Sequence, residues 1–210
     1  MKTGQGTSEL SRVIGEYKEL HVDDYQRSYS WGKEQIDVFF EDLKDASRDD
    51  SGHFFGTLIL QEKENGSAYV VDGQQRLTTV FLLVATLRDR VSELEITHLD
   101  TGNPDELPVD VARLAWDLLI TGNIKTNYRF RSSRFLRETL DKGVFAELPK
   151  QKPIKDSDTP MTLALRKAIK QMRILVDEHL ENFDTDKSKL KEMMHVLQEK
   201  IGNVEGRAFV

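Results

Sequence analysis

Two short polar segments hold most of the residues in this chain whose types and spacing suit chemistry, Tyr25 to Trp31 (YQRSYSW) and Asp72 to Thr79 (DGQQRLTT). In the second, Gly73 permits a tight turn and close approach by a ligand. A helix that begins there presents backbone N–H groups without helical partners, which favour an anion, and phosphate is the natural guest. Arg76 adds a planar, permanently charged fork for phosphate oxygens, and Thr78 and Thr79 add hydroxyl donors. Asp72 suits either the orientation of Arg76 or the capture of a divalent cation. Gln74 and Gln75 are poor proton acceptors, but a glutamine positions an attacking water beside a phosphate without changing charge. The plainer alternative is that Asp72, Gln74 and Arg76 only cap a hairpin and start a helix.

The first segment gathers three aromatics around an arginine and a glutamine. Tyr25, Gln26 and Arg27 suit a nucleotide or a nucleic acid: the ring stacks on a base, the amide reads a base edge and the guanidinium binds a phosphate. Trp31, followed by a helical pattern, is expected in the core. We read the two segments as one site for a nucleotide or nucleic-acid phosphate. A third feature, Tyr128 to Arg131 with Arg134 and Arg137, is a basic patch with aromatics, which suits DNA phosphates or, equally, the solvated face of a helix.

The surrounding pattern says what must hold these segments. Leu10, Val13, Ile14, Tyr17 and Leu20 predict an opening amphipathic helix capped by Thr7 or Ser8, and Ile36, Phe39, Phe40 and Leu43 predict a second. Phe54 to Leu60 and Ala68 to Val71 are β-prone runs separated by Glu62 to Ser67, whose Asn65-Gly66 pair predicts a hairpin turn. From Gln74 onward Leu77, Val80, Phe81, Val84, Leu87, Arg88 and Val91 continue at helical spacing, so DGQQR sits where a strand becomes a helix. His98 to Pro108 predicts a loop and a boundary between an α/β domain (1–98) carrying both motifs and a helical region (99–210). In that region helices are expected over Val111 to Leu119 and Phe135 to Leu140, with a loop from Gly143 to Pro160. Thr159-Pro160 then starts a long helix reaching Phe183, and Leu190 to Ile201 form a last one. Their Met and Leu stripes are expected to pack helix on helix.

At 210 residues, 38% hydrophobic and 31% charged, the chain should fold as a soluble globular protein. A net charge of −6 argues against coating nucleic acid by bulk electrostatics, so any such contact must be local. The chain has no cysteine, which excludes disulfides, thiolate metal sites and cysteine nucleophiles. The N-terminus lacks the apolar stretch of a signal peptide and no run is long enough to span a bilayer, so a cytoplasmic location and no membrane are expected. His21, His53, His98, His179 and His195 are scattered, as surface or core histidines rather than metal ligands.

YQRSYSW, then Gln35, HFFGTLIL and VVDGQQRLTTVFLL, in that order over Glu9 to Arg90, resemble the N-terminal domain family of GmrSD-type modification-dependent restriction enzymes. The resemblance implies an α+β, ParB/sulfiredoxin-like fold: a small mixed sheet with helices, followed by a helical subdomain. It implies bacterial defence against phage or foreign DNA, and NTP hydrolysis at DGQQR that controls DNA cleavage. By position, Asp72, Gly73, Gln74, Gln75 and Arg76 match that motif, and Tyr25, Gln26 and Arg27 match its partner. One departure is that the family usually has Ile-Pro before the tyrosine motif where this chain has Val22-Asp23-Asp24; the extra carboxylates favour a metal ion there. Family members commonly continue into a segment whose opening resembles Arg207-Ala208-Phe209-Val210, and many end in an HNH-type nuclease domain. A shortened chain or a partner nuclease subunit is therefore expected.

Three functions follow, in order. The first is a regulatory domain that binds and hydrolyses ATP or GTP with Mg²⁺, using Arg76 on phosphate, Gln74 or Gln75 on water, and Asp72 on the metal or the arginine. The second is a module that recognises modified DNA through Tyr25, Gln26 and Arg27 without turnover. The third is a direct nuclease, ranked last because no carboxylate or histidine cluster suits a two-metal site.

Overall fold

The computed structural model of the chain describes residues 10–48, 56–99, 115–122, 127–146, 150–152 and 159–179. Its elements in order are α1 (Leu10–Glu16), β1 (Leu20–His21), α2 (Lys33–Arg48), β2 (Ile59–Glu62), β3 (Ala68–Asp72) and α3 (Gln74–Leu99). After these come β4 (Phe130–Arg131), α4 (Arg134–Leu140), a π-helical turn (Asp141–Phe145) and α5 (Pro160–His179). Residues 115–119 are also helical. The α+β class is as expected, with helices around one small mixed sheet in the order β2-β3-β1-β4.

The hairpin forms where Asn65-Gly66 predicts it: Gly66 sits at φ 77°, the Ser67 N–H is accepted by the Asn65 side chain, and β2 pairs antiparallel with β3. β1 lies between β3 and β4, parallel to both, with Leu20 opposite Ala68 on one side and Phe130 on the other. Leu20 is thus an interior strand residue and fully buried. The helical stripe from Leu10 to Leu20 is therefore broken: α1 ends at Glu16, because the backbone beyond it bonds to other strands, Lys18 N–H to Gly66 and Leu20 N–H to Arg129. Thr7 and Ser8 lie outside the described residues.

α3 is the centre of the molecule. Every residue from Leu77 to Asp89 is buried, on all faces, as expected of a helix surrounded by protein. Phe81 stacks on Phe130 of β4 at 4.9 Å and meets Phe145 of the π turn edge-on at 6.3 Å. α5 packs on both α2 and α3. It starts as predicted, with Pro160 in its first position and Thr159 Oγ1 accepting the Thr162 N–H.

Contacts of the sheet cross the expected break at 98/99. α3 runs through His98 to Leu99, and β4, from beyond that point, completes the sheet beside β1. The loop beyond Leu99, the residues 180–210 that include the last predicted helix, and Phe54-Phe55 lie outside the described residues. Among the described residues no helix is long and apolar enough to cross a membrane.

Candidate functional site

β3 delivers Asp72 to the turn, Gly73 breaks the strand and α3 begins at Gln74. Gly73 has φ 89°, and a Cβ there would lie 2.8 Å from Leu58 Cδ1 and 3.1 Å from the Thr57 carbonyl. Glycine is thus required by the neighbouring chain at Thr57-Leu58, a reason independent of any ligand. Its carbonyl accepts the Leu77 N–H, which leaves the N–H groups of Gln74, Gln75 and Arg76 beyond the reach of the helical ladder.

The segment at 25–31 folds against this turn and is fastened by three glutamines. Gln26 Nε2 donates to the Val70 and Val71 carbonyls of β3 at 2.5 and 3.2 Å. Gln74 Nε2 donates to the Arg27 carbonyl at 2.8 Å. Gln75 is held at both ends: Nε2 donates to the Ser28 carbonyl at 3.1 Å, and Oε1 accepts the Ser30 N–H at 2.8 Å. Deeper in, the Tyr29 hydroxyl pairs with Thr79 Oγ1 at 2.9 Å. Burial pushes the Tyr29 phenol up to about 12, the Thr79 bond pulling weakly the other way. The two motifs seen separately in sequence are one interlocked unit.

This interlock sorts the predicted site residues. Thr79 is fully buried and its hydroxyl also donates to the Gln75 carbonyl; Thr78 is 7% exposed and donates to the Gln74 carbonyl. Both hydroxyls expected to meet phosphate instead bond within α3, because α3 is buried on every face from Leu77 onward. The Gln26 amide is occupied by β3, and its Oε1 is buried without a partner among the described residues, so it presents no free base-reading edge. Trp31 is partly buried and packs against the edge of the core rather than within it, beside Phe39 at 6.2 Å.

The groups that face outward are Tyr25, 80% exposed, the exposed Arg27, and Asp72, whose side chain is 63% exposed. The Arg27 carbonyl accepts from Gln74, while its guanidinium has no hydrogen-bond or ion-pair partner among the described residues. Arg76 lies between turn and hairpin, its Nη2 donating to the Thr57 carbonyl at 2.7 Å and standing 3.9 Å from Asp72 Oδ2. It passes directly over Gly56, which has φ 94°. Asp72 is the carboxylate of this turn, and among the described residues no three His, Asp or Glu side chains meet as a metal cage. That donor set suits a Mg²⁺ ion shared with phosphate oxygens, the usual manner for this small, strongly hydrated cation.

Asp23 and Asp24, where the resemblance departs from its pattern, have local partners. Asp23 accepts the Asp24 N–H, while Asp24 accepts the Arg134 N–H at 2.7 Å and faces Arg134 Nε at 3.3 Å. The basic patch divides into an inward part, Tyr128 to Arg131, and an exposed part on α4, Arg134 and Arg137. Arg129 donates to the Tyr17, Asp117 and Ile120 carbonyls, Arg131 pairs with Glu19 and Asp141, and Arg137 donates to the Ser132 carbonyl. Phe130 is in the core. The α4 part of the patch is the solvated helix face that one reading expected, whereas Arg129 and Arg131 brace the junction of α1, β1 and β4. A separate cleft of about 260 Å³ between α3 and α5 is lined by charges already paired with one another, Arg90 with Asp177 at 3.1 Å and Arg173 with Asp89 at 3.8 Å.

Fold and site define an α+β domain in which a strand–glycine–helix turn is bound to the loop that carries the first motif. The model of the family described as GmrSD restriction endonuclease, N-terminal domain, matches residues 10–206, and the chain belongs to that family. This gives it a restriction context and spans both the sheet and the later helices as one domain. Comparison with curated proteins returns no match.

Proposed function

We propose that this domain binds a nucleoside triphosphate, ATP or GTP, with Mg²⁺ at the β3–α3 turn and hydrolyses it as the regulatory step of a DNA-acting restriction protein. The observation that carries this reading is the interlock, which leaves Arg27, Arg76, Asp72 and the first N–H groups of α3 around one turn. Arg76 and Arg27 bind phosphate oxygens, the helix N-terminus stabilises their charge, and Asp72 holds the magnesium that the nucleotide brings. Magnesium supplies charge neutralisation on the phosphates when bound. Gln74 uses its amide nitrogen on Arg27 and keeps Oε1 to accept a hydrogen bond from water, whereas Gln75, held at both ends, positions the loop. DNA and a nuclease domain or subunit are the partners that such a regulator serves. Recognition of modified DNA through Gln26 is the weaker reading, because that amide already serves β3.

Equilibrium titration and phosphate release with Mg²⁺, by the wild type and by Arg76→Ala, test the proposal. Wild type should bind and turn over; Arg76→Ala should lose at least about tenfold in affinity, as removal of a charged hydrogen-bond donor does, along with phosphate release. Absence of nucleotide binding by the wild type, or equal binding by both, sinks it.

A further inference from the structure

Among the described residues the exposed aromatic rings are two, Tyr25 at 80% and Phe135 at 51%. They are far apart in sequence, yet each is the next residue after a member of one bonded pair, since Asp24 accepts from the Arg134 backbone and faces its guanidinium. The Arg134 guanidinium lies over the Phe135 ring at 4.9 Å. On the other side, Arg27 is fastened to Gln74 at the head of α3, and two residues of chain, at most about 7 Å, separate it from Tyr25. The chain thus links the turn, through Arg27, Tyr25 and Asp24, to the start of α4.

From this arrangement we infer that Tyr25 and Phe135 flank a base-stacking subsite of the nucleotide site, with α4 supplying the second wall. The inference rests on the nucleotide reading and adds to it Phe135, a residue from outside both motifs. A base is the fitting occupant because every base has a π-face, and Phe135 already lies under an arginine guanidinium. An apolar protein segment fits poorly, since the Asp24–Arg134 ion pair directly precedes both rings in the chain and Arg134 lies over Phe135. With the Gln26 amide occupied, stacking rather than edge contacts holds the base.

The test compares ATP with inorganic tripolyphosphate, each with Mg²⁺, on wild type, Tyr25→Ala, Phe135→Ala and Phe135→Trp. Wild type should bind ATP on the order of tenfold more tightly than tripolyphosphate, the usual scale of one base–aromatic stack. Phe135→Ala and Tyr25→Ala should shrink that advantage with tripolyphosphate affinity unchanged, and Phe135→Trp should retain it. Equal binding of the two ligands by wild type, or an advantage that persists in Phe135→Ala, overturns the base subsite while the phosphate site stands. Failure of wild type to bind either ligand overturns both.

Discussion

A methyl group on residue 56 would land 1.6 Å from Nη1 of Arg76. The glycine also has φ 94°, a region that costs an L-residue about 1–2 kcal/mol. Gly56→Ala should therefore displace the Arg76 guanidinium from the Thr57 carbonyl and lower nucleotide affinity nearly as far as Arg76→Ala. The protein should stay folded, with a thermal midpoint a few degrees lower. Wild-type affinity in Gly56→Ala would show that Arg76 meets phosphate from another rotamer. The sequence marked Arg76, Asp72 and the glutamines as the chemistry-bearing residues, and all of them gather at one turn. It did not reveal that Gln75 is bonded at both ends, or that Gln26 serves β3. Residue type names an amide, but only the register of loop on strand decides whether that amide meets water or a carbonyl. Gly56 was not singled out from sequence, because nothing local ties it to a residue twenty positions on.

At the scale of elements, helices with clean stripes and the hairpin were legible, because burial of one face imposes a period. β1 and β4 were not. Each has two residues, too few for a period, and each exists only because the other strands supply its hydrogen bonds. Arg88 is the instructive case in α3: it falls on the apolar stripe and is 1% exposed. It donates to the Phe145, Val144 and Ala146 carbonyls and pairs with Asp89 at 2.6 Å, tying α3 to the π turn. Burial pushes the Asp89 carboxyl up, with Arg88 the chief opposing influence. Arg88→Met should cost about 3–5 kcal/mol at neutral pH in denaturant unfolding, because it removes the nearest cation from a buried carboxylate left with Gln151 and the more distant Arg173. A carboxyl raised in the folded state favours folding when protonated, and that contribution is lost as pH rises through its folded pKa. The deficit of Arg88→Met should accordingly shrink as the pH is lowered toward the ordinary carboxylate range. A deficit independent of pH would assign the loss to the three carbonyls instead.

For the whole molecule, the decisive contacts cross the point where composition suggested a boundary. His98 to Pro108 has the prolines, glycine and polarity of a linker, but a linker-like composition marks a solvated loop and says nothing about which elements pair across it. β4 closes the sheet on β1, Phe81 stacks on Phe130, and Arg129 bonds to the Tyr17 carbonyl at the end of α1. Arg134 meanwhile holds Asp24 beside the site. A chain ending at residue 98 would expose the β1 edge and the Phe81 face of α3, both buried in the intact fold. Such a fragment should lack a cooperative thermal transition and bind a hydrophobic dye, whereas the 210-residue chain should unfold in one step followed alike by circular dichroism and by tryptophan fluorescence. Trp31 and Trp116 lie on opposite sides of the supposed boundary, so a fluorescence transition distinct from the helical one would show two units after all. Coincident transitions would mean that the motif loop and the later helices share one folding free energy, and that any partner pulling on α4 acts on the proposed nucleotide site through Asp24 and Arg134.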